Sequence, residues 1–256
     1  MKWKLGFEFE IQSPFSHASM RGKLGKITRG LKVVNDCSIK RSPGYYATEI
    51  ITPPLVESQA KRLMLKLNSF LKSEGCITDK SCGFHINLSF NNACRKFNPS
   101  MLIATTDDFH IAQQFNRHTN VYCTPWKTYV KKLDTQVKRF NKRIARKGLY
   151  SPYTLRGEFD RMAQTLYYQT IDPDSDTPAD EVMDSVDFHS KYLSVNLNNI
   201  KDYGYVEYRM IGGSSYLDET DTALEAIEHF KLSQTLAHED NQPEKIDQYL
   251  EWAKTK

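Results

Sequence analysis

Four stretches of the chain alternate apolar and polar residues with a period of two, and each gathers its chemically active side chains on one side. In Lys4–Gln12, Leu5, Phe7, Phe9 and Ile11 alternate with Gly6, Glu8 and Glu10. In Phe84–Phe90, Phe84, Ile86, Leu88 and Phe90 alternate with His85, Asn87 and Ser89. Tyr192–Asn198 sets Leu193, Val195 and Leu197 against Ser194, Asn196 and Asn198, and Val206–Met210 sets Val206, Tyr208 and Met210 against Glu207 and Arg209. Successive side chains of a strand point to opposite faces. Each stretch therefore reads as a strand with an apolar back and a polar front. Leu31–Val34 and Tyr46–Ile51 are shorter strand candidates.

Helical spacing lies between the strands. Val56, Ala60, Leu63, Leu67 and Leu71 form one apolar stripe, opened by Pro53-Pro54 and closed by Gly75. A second helix is expected after Pro99. A third carries Val130, Leu133, Val137, Phe140 and Ile144, a fourth Leu224, Ile227 and Phe230, and Pro243 opens a last short one. Strands separated by long helical connections give an α+β chain, with a mostly antiparallel sheet of about six strands backed by helices. No repeat or long linker divides it. We expect one domain over 1–256, with a helical insertion at about 99–170 and C-terminal helices at about 218–254.

Composition narrows the function classes. Aromatic residues make up 12% of the chain, too many for a disordered polyampholyte. The apolar runs are too short for a membrane span. The N-terminal residues run into Glu8 and Glu10 without the apolar stretch of a secretory signal. Five cysteines, an odd number, favour reduced thiols over a disulfide scaffold. A cytoplasmic protein with no membrane partner is expected. The net charge of +4 is too near balance to name a nucleic-acid partner.

Any single polar pair on a strand is more often solvated surface than a site. These fronts are selective, however: they hold Glu, His, Asn and Arg. Carboxylates at i and i+2 offer converging oxygens to a hard cation, and Arg supplies a fixed donor fork for phosphate. Glu49, on the likewise extended Tyr46–Ile51, adds a third acidic position. Carboxylates, a His and an Arg converging on one face describe a magnesium–nucleotide site.

At these residues the chain resembles a known family. Gly6-Phe7-Glu8-Phe9-Glu10 resembles the opening G-x-E-x-E of the amidoligases, ATP-dependent carboxylate–amine ligases of the glutamine synthetase and glutamate–cysteine ligase superfamily. Asp36-Cys37-Ser38 resembles their D-x-S, and Glu49-Ile50-Ile51-Thr52-Pro53 their E-I-V-[ST]-P. Cys82-Gly83-Phe84-His85-Ile86-Asn87 resembles the G-x-H-V-H strand. Lys191-Tyr192 with Asn196, then Glu207-Tyr208-Arg209, resemble the closing K-Y…N and E-x-R blocks. The order is kept over Gly6 to Gly213.

The resemblance implies a curved sheet of the glutamine synthetase and glutamate–cysteine ligase type, with ATP and Mg²⁺ on its concave face. It implies Glu8, Glu10, Glu49, His85 and Glu207 as metal ligands. Arg209 would meet the transferring phosphate, while Arg117 and Lys191 would bind phosphate or a substrate carboxylate. Asp36, Asn87 and Asn196 would serve the substrate or the incoming amine. Asn87 stands where the family often has a second His. The implied reaction is ATP-dependent amide or isopeptide formation through an acyl phosphate. Its substrates would be small-molecule, peptide or protein carboxylates and amines.

Other signals are weaker. Cys76, Cys82, His85 and Cys94 have a spacing that fits no common zinc module. Nothing orients Cys123 towards His118, so a buried thiol is expected. Gly22–Thr28 fails the phosphate-loop pattern and is expected as a mobile basic loop. Asp172–Thr177 lacks the glycine of a calcium loop and is expected as an acidic flexible loop. Lys127–Lys147 holds nine basic residues and one acid. It supports the alternative function, a non-catalytic nucleic-acid-binding module that uses a basic helix at 127–147. The full set of carboxylates on the strand fronts favours the ligase, and nucleic acid is not an expected partner.

Overall fold

The structure, a computed structural model, describes residues 3–90, 102, 105–126, 192–199 and 203–238. Among the described residues are seven strands and four helices. They are β1 (Trp3–Ser13), α1 (His17–Leu24), β2 (Lys32–Asn35), β3 (Tyr46–Ile51), β4 (Leu55–Val56), α2 (Glu57–Ser73), β5 (Gly83–Phe90), α3 (Asp108–Gln114), β6 (Val195–Asn196), β7 (Tyr205–Gly212) and α4 (Thr220–His238). The chain is α+β. All seven strands join one antiparallel sheet in the order β2-β3-β1-β5-β7-β6, with β4 also paired to β1.

The seventh strand exists because of two prolines. Pro53 and Pro54 have no N–H to give a ladder, so the run that begins as β3 is interrupted and resumes as β4 on the same edge of β1. Thr52 bridges the gap: its N donates to Phe7 O at 2.9 Å, and its Oγ1 accepts from Phe7 N at 2.8 Å.

The expected apolar back is the core. Leu5, Phe7, Phe9, Ile11, Phe84, Ile86 and Leu88 are all buried. Phe84 packs between Phe7 and Phe9 of β1 and stacks on Tyr216, with ring centroids 5.7 Å apart. Tyr208 of β7 stacks on Phe230 of α4 at 4.0 Å. Helix α2 turns its stripe of Ala60, Leu63, Leu67 and Leu71 inwards, as its 3.6-residue spacing dictates. It ends at Gly75, as expected: with φ at 70°, this glycine lets Gly75 N reach Lys72 O while Cys76 N reaches Leu71 O. Asn68 of α2 donates to Thr220 of α4 at 2.9 Å, and Glu57, Lys61, Glu228 and Lys231 form ion pairs between the two helices.

Three expectations meet a different local structure. Gly22 and Lys23 lie in α1, and Lys23 pairs with Glu74 at 2.7 Å, so that segment is not a free loop. The strand expected over Tyr192–Asn198 pairs with β7 only at Val195 and Asn196; Leu193 forms an isolated parallel bridge to Thr124, and Asn196 Oδ1 accepts from Asn198 N and turns the chain after β6. Alternation in β7 breaks at a bulge: between the pairs Ile86–Tyr208 and Phe84–Ile211, β7 spends one residue more than β5. Met210 and Ile211 are in consequence both buried. The basic helix at 127–147, the acidic loop after Asp172, the helix after Pro243, Lys191 and Cys94 lie outside the described residues, as does most of the insertion expected at 99–170. Among the described residues, no helix is long and apolar enough to cross a membrane.

Candidate active site

Strand register decides which front residues meet. Glu10 is opposite Glu49, Glu8 opposite His85, and Asn87 opposite Glu207, which is in turn opposite Asn196. Five strands thus place their polar fronts in one diagonal band. A solvated face would leave these groups in water, but Glu10 and Glu207 are 6% exposed, Asn196 5% and His85 2%. Burial of so many ionisable groups is tolerated only where they satisfy one another.

They do so around His85. Its Nδ1 lies 3.1 Å from Glu8 Oε2 and 3.3 Å from Glu207 Oε1, and its Nε2 lies 3.3 Å from Glu10 Oε1. The last contact is within ion-pair distance but is not aligned as a hydrogen bond. Burial and the Arg209 guanidinium push His85 down, yet the three carboxylates outweigh them and the imidazole is held above its ordinary range. The cluster already collects positive charge. Glu8, His85 and Glu207 offer ligand atoms within 4.8 Å of one another. Carboxylate oxygens with one imidazole fit a hard divalent cation.

Each carboxylate is also gripped from behind. Glu8 Oε1 accepts from the Asn87 amide at 2.8 Å, Glu207 Oε2 from the Asn196 amide at 2.7 Å, and Glu10 Oε2 from the backbone N–H of Gly83. Gly83 must be glycine for this approach, since a Cβ there would lie 2.7 Å from both Glu10 Oε2 and His85 Nε2.

Glu8 and Glu49 show how much environment matters. Burial alone would raise both. For Glu8 the hydrogen bond and charge of His85, the Asn87 amide and the Arg209 charge outweigh burial and bring it down to about 2. For Glu49 burial is reinforced by Glu8, Glu10 and Asp36, and it is pushed up to about 7.

The band opens into a cleft of about 260 Å³. Glu8, Glu10, Glu49 and Asp36 contribute acidic groups to its lining, and Arg117 and Arg209 contribute cationic ones. Arg209 lies in the β7 bulge. It pairs with Glu207, approaches His85 Nδ1 at 3.5 Å, and donates to Tyr122 O at 3.4 Å. Arg117 comes from the end of α3. There Asn116, at φ 54°, lets Asn116 N reach Gln113 O and Arg117 N reach Ala112 O. Its guanidinium donates to Cys82 O and is only 2% exposed. No carboxylate among the described residues is within ion-pair distance of it, and its Nε has no partner. Gly212 makes room for it: a Cβ there would sit 2.1 Å from Arg117 Nη1.

The structure therefore brings Glu8, Glu10, Glu49, His85, Arg209, Arg117 and Asp36 to one cleft, with Glu207 bonded into the same cluster. Asp36 caps its own turn by accepting from Ser38 N at 2.8 Å. The amides of Asn87 and Asn196 are engaged with carboxylates. Sequence reasoning met Gly83 only as the glycine of the G-x-H-V-H resemblance, without its role at the head of β5, and missed Gly212. It also missed Asp108, which accepts from Trp126 N at 2.7 Å and from Ser194 Oγ. Ser194 is thereby fully buried against Asp108. The cysteines at 76 and 82 are buried thiols raised to about 12, chiefly by burial. Cys123 is likewise buried, as expected, and raised to about 11.

The family model described as "Putative amidoligase enzyme" matches residues 1–229 of the chain. No curated protein matches it.

Proposed function

The chain belongs to the amidoligase family, and we propose that it is an ATP- and Mg²⁺-dependent carboxylate–amine ligase that forms an amide or isopeptide bond through an acyl phosphate. The observation that carries this reading is the convergence of three carboxylates, the buried Glu10 and Glu207 and the half-buried Glu8, on His85, beside two arginines in the same cleft. The antiparallel sheet with its polar band supports extending to this chain the glutamine synthetase and glutamate–cysteine ligase fold type that the resemblance implies.

Glu8, Glu10, Glu207 and His85 would hold Mg²⁺, with Glu49 beside Glu10 as a further ligand. The ion's contribution is to offset the negative charge of the nucleotide's phosphates. Arg209 lies next to this cluster and directs its remaining N–H donors at the phosphoryl group in transfer. Arg117 is a buried cation with no counter-charge among the described residues, a costly state that a bound phosphate or substrate carboxylate relieves. The γ-phosphoryl passes from ATP to a carboxylate oxygen and ADP leaves. The amine nitrogen then attacks the acyl carbon, the C–O bond to phosphate breaks, and the amine gives up a proton. Asp36, on the acidic side of the cleft, attracts the cationic form of the amine. No covalent enzyme nucleophile is required, and positioning with charge stabilisation supplies the rate.

The test is phosphate release from ATP across a panel of carboxylates and amines, each with Mg²⁺ and with chelator. We expect release that needs both substrates and the metal. ATP binding of equal strength with and without chelator would overturn the metal assignment.

A further inference from the structure

The carboxylates around His85 share one pattern. The inner oxygen of each, Glu8 Oε2, Glu10 Oε1 and Glu207 Oε1, is turned to the imidazole. The outer oxygen of each is occupied by an amide N–H, from Asn87, Gly83 and Asn196 respectively. A carboxylate held in this way has one oxygen to give, which in Glu207 also accepts from Arg209 Nη1 and keeps a second lone pair for the ion. We infer that Asn87 and Asn196 are positioning residues that keep Glu8 and Glu207 monodentate, and so select a small octahedral cation, Mg²⁺ or Mn²⁺, over Ca²⁺. The inference rests on the proposed Mg²⁺ site and adds to it the residues that enforce the choice of ion.

The selection follows from coordination chemistry. Ca²⁺ takes six to eight oxygens at about 2.3–2.6 Å and readily uses both oxygens of a carboxylate. Mg²⁺ wants near-octahedral geometry at about 2.0–2.1 Å and is satisfied by single oxygens with water filling the rest. For Glu8 or Glu207 to chelate with both oxygens, its outer oxygen must turn a lone pair to the ion while it is held at 2.8 or 2.7 Å by its asparagine, which strains or breaks that hydrogen bond. The Asn196–Glu207 bond is buried, so no water replaces the lost donor cheaply. Asn196 is itself fixed, because its Oδ1 accepts from Asn198 N at 3.1 Å. The two asparagines reach the site from β5 and β6, on either side of β7, so the carboxylates cannot be freed together by one small shift.

The experiment uses the full chain and the metal ions alone. Calorimetric titration with Mg²⁺, Mn²⁺ and Ca²⁺ is run on the native protein and on Asn87→Leu and Asn196→Leu, which remove the donor at similar volume. Asn87→Ser and Asn196→Ser, too short to reach the carboxylate, replace either Leu variant that fails to fold. The native protein should prefer Mg²⁺ and Mn²⁺ to Ca²⁺. Each variant should bind Mg²⁺ about 10–100-fold more weakly, while Ca²⁺ loses less, so the preference narrows. Unchanged Mg²⁺ affinity, or an equal loss for all three ions, would overturn the selection and leave the cation site standing. If the native protein binds none of the ions, the proposed cation site falls and this inference falls with it.

Discussion

Phe84 and His85 are neighbours in β5, and both are almost completely buried. Phe84 faces rings from β1 and the stacked ring of Tyr216. His85 faces three carboxylates and a guanidinium. The apolar face of the sheet is held by contact that has no direction, whereas the polar face is held by bonds in which a particular oxygen meets a particular N–H. Apolar packing tolerates a change of shape that keeps volume. The polar face is intolerant of a lost donor, and beside Gly83 of added bulk as well. The two faces even meet through one side chain, since Tyr216, stacked on Phe84, donates its hydroxyl to Glu10 O at 2.9 Å.

The sharpest way to separate the faces is to injure each in turn. Phe84→Ala removes a ring from the centre of the core and should cost about 3–5 kcal/mol in denaturant unfolding. Phe84→Leu should cost far less. If both cost the same, ring volume is not what the apolar face supplies.

On the polar face, Arg209→Ala should lower turnover by about a hundredfold or more at saturating Mg²⁺. Unfolding should stay cooperative, because the cleft has no packed core to lose. Arg209→Lys should recover little, since a point charge does not replace the planar fork. Native turnover in Arg209→Ala would move the reaction away from the β7 bulge.

A smaller effect comes from Glu49. Its raised pKa means that the folded metal-free protein keeps a proton there which the unfolded chain has released. Stability through this group therefore falls as pH rises from the ordinary carboxylate range through about 7. Glu8 has the opposite sign: held down at about 2, it contributes stability that is lost as the pH falls towards that value. Melting of the metal-free protein should decline by about 2–4 °C across the Glu49 window. Mg²⁺ should cancel the decline and Glu49→Gln should abolish it. A decline that survives Glu49→Gln belongs to another group.

What the sequence made legible was whatever is local. Period two in Lys4–Gln12 and Phe84–Phe90 places Glu8, Glu10 and His85 on fronts without knowledge of any neighbour. Roles that depend on register were not legible. Asn87 was expected to serve a substrate or amine, and the sequence did not show that its place diagonal to Glu8 turns its amide nitrogen to that carboxylate. Ser194 has the right parity for the front and is nevertheless bonded to Asp108, eighty-six positions earlier. The β7 bulge is invisible in Val206–Met210 because it is defined by the strand opposite. The close approach at Gly83 likewise exists only once β1 lies beside it.

Gly212 and Arg117 are ninety-five positions apart and occupy one space, with a glycine hydrogen where a methyl would overlap the guanidinium. That shared space imposes an order on inheritance. While Arg117 is present, any side chain at 212 must push it from the cleft, and the positive φ of 144° adds a backbone penalty of its own. Losing the arginine would not free position 212 either, since a Cβ there would still lie 2.6 Å from Cys82 O and 2.8 Å from Gly83 Cα. The dependence therefore runs one way: the arginine can be lost without touching the glycine, but the glycine cannot be lost without displacing the arginine.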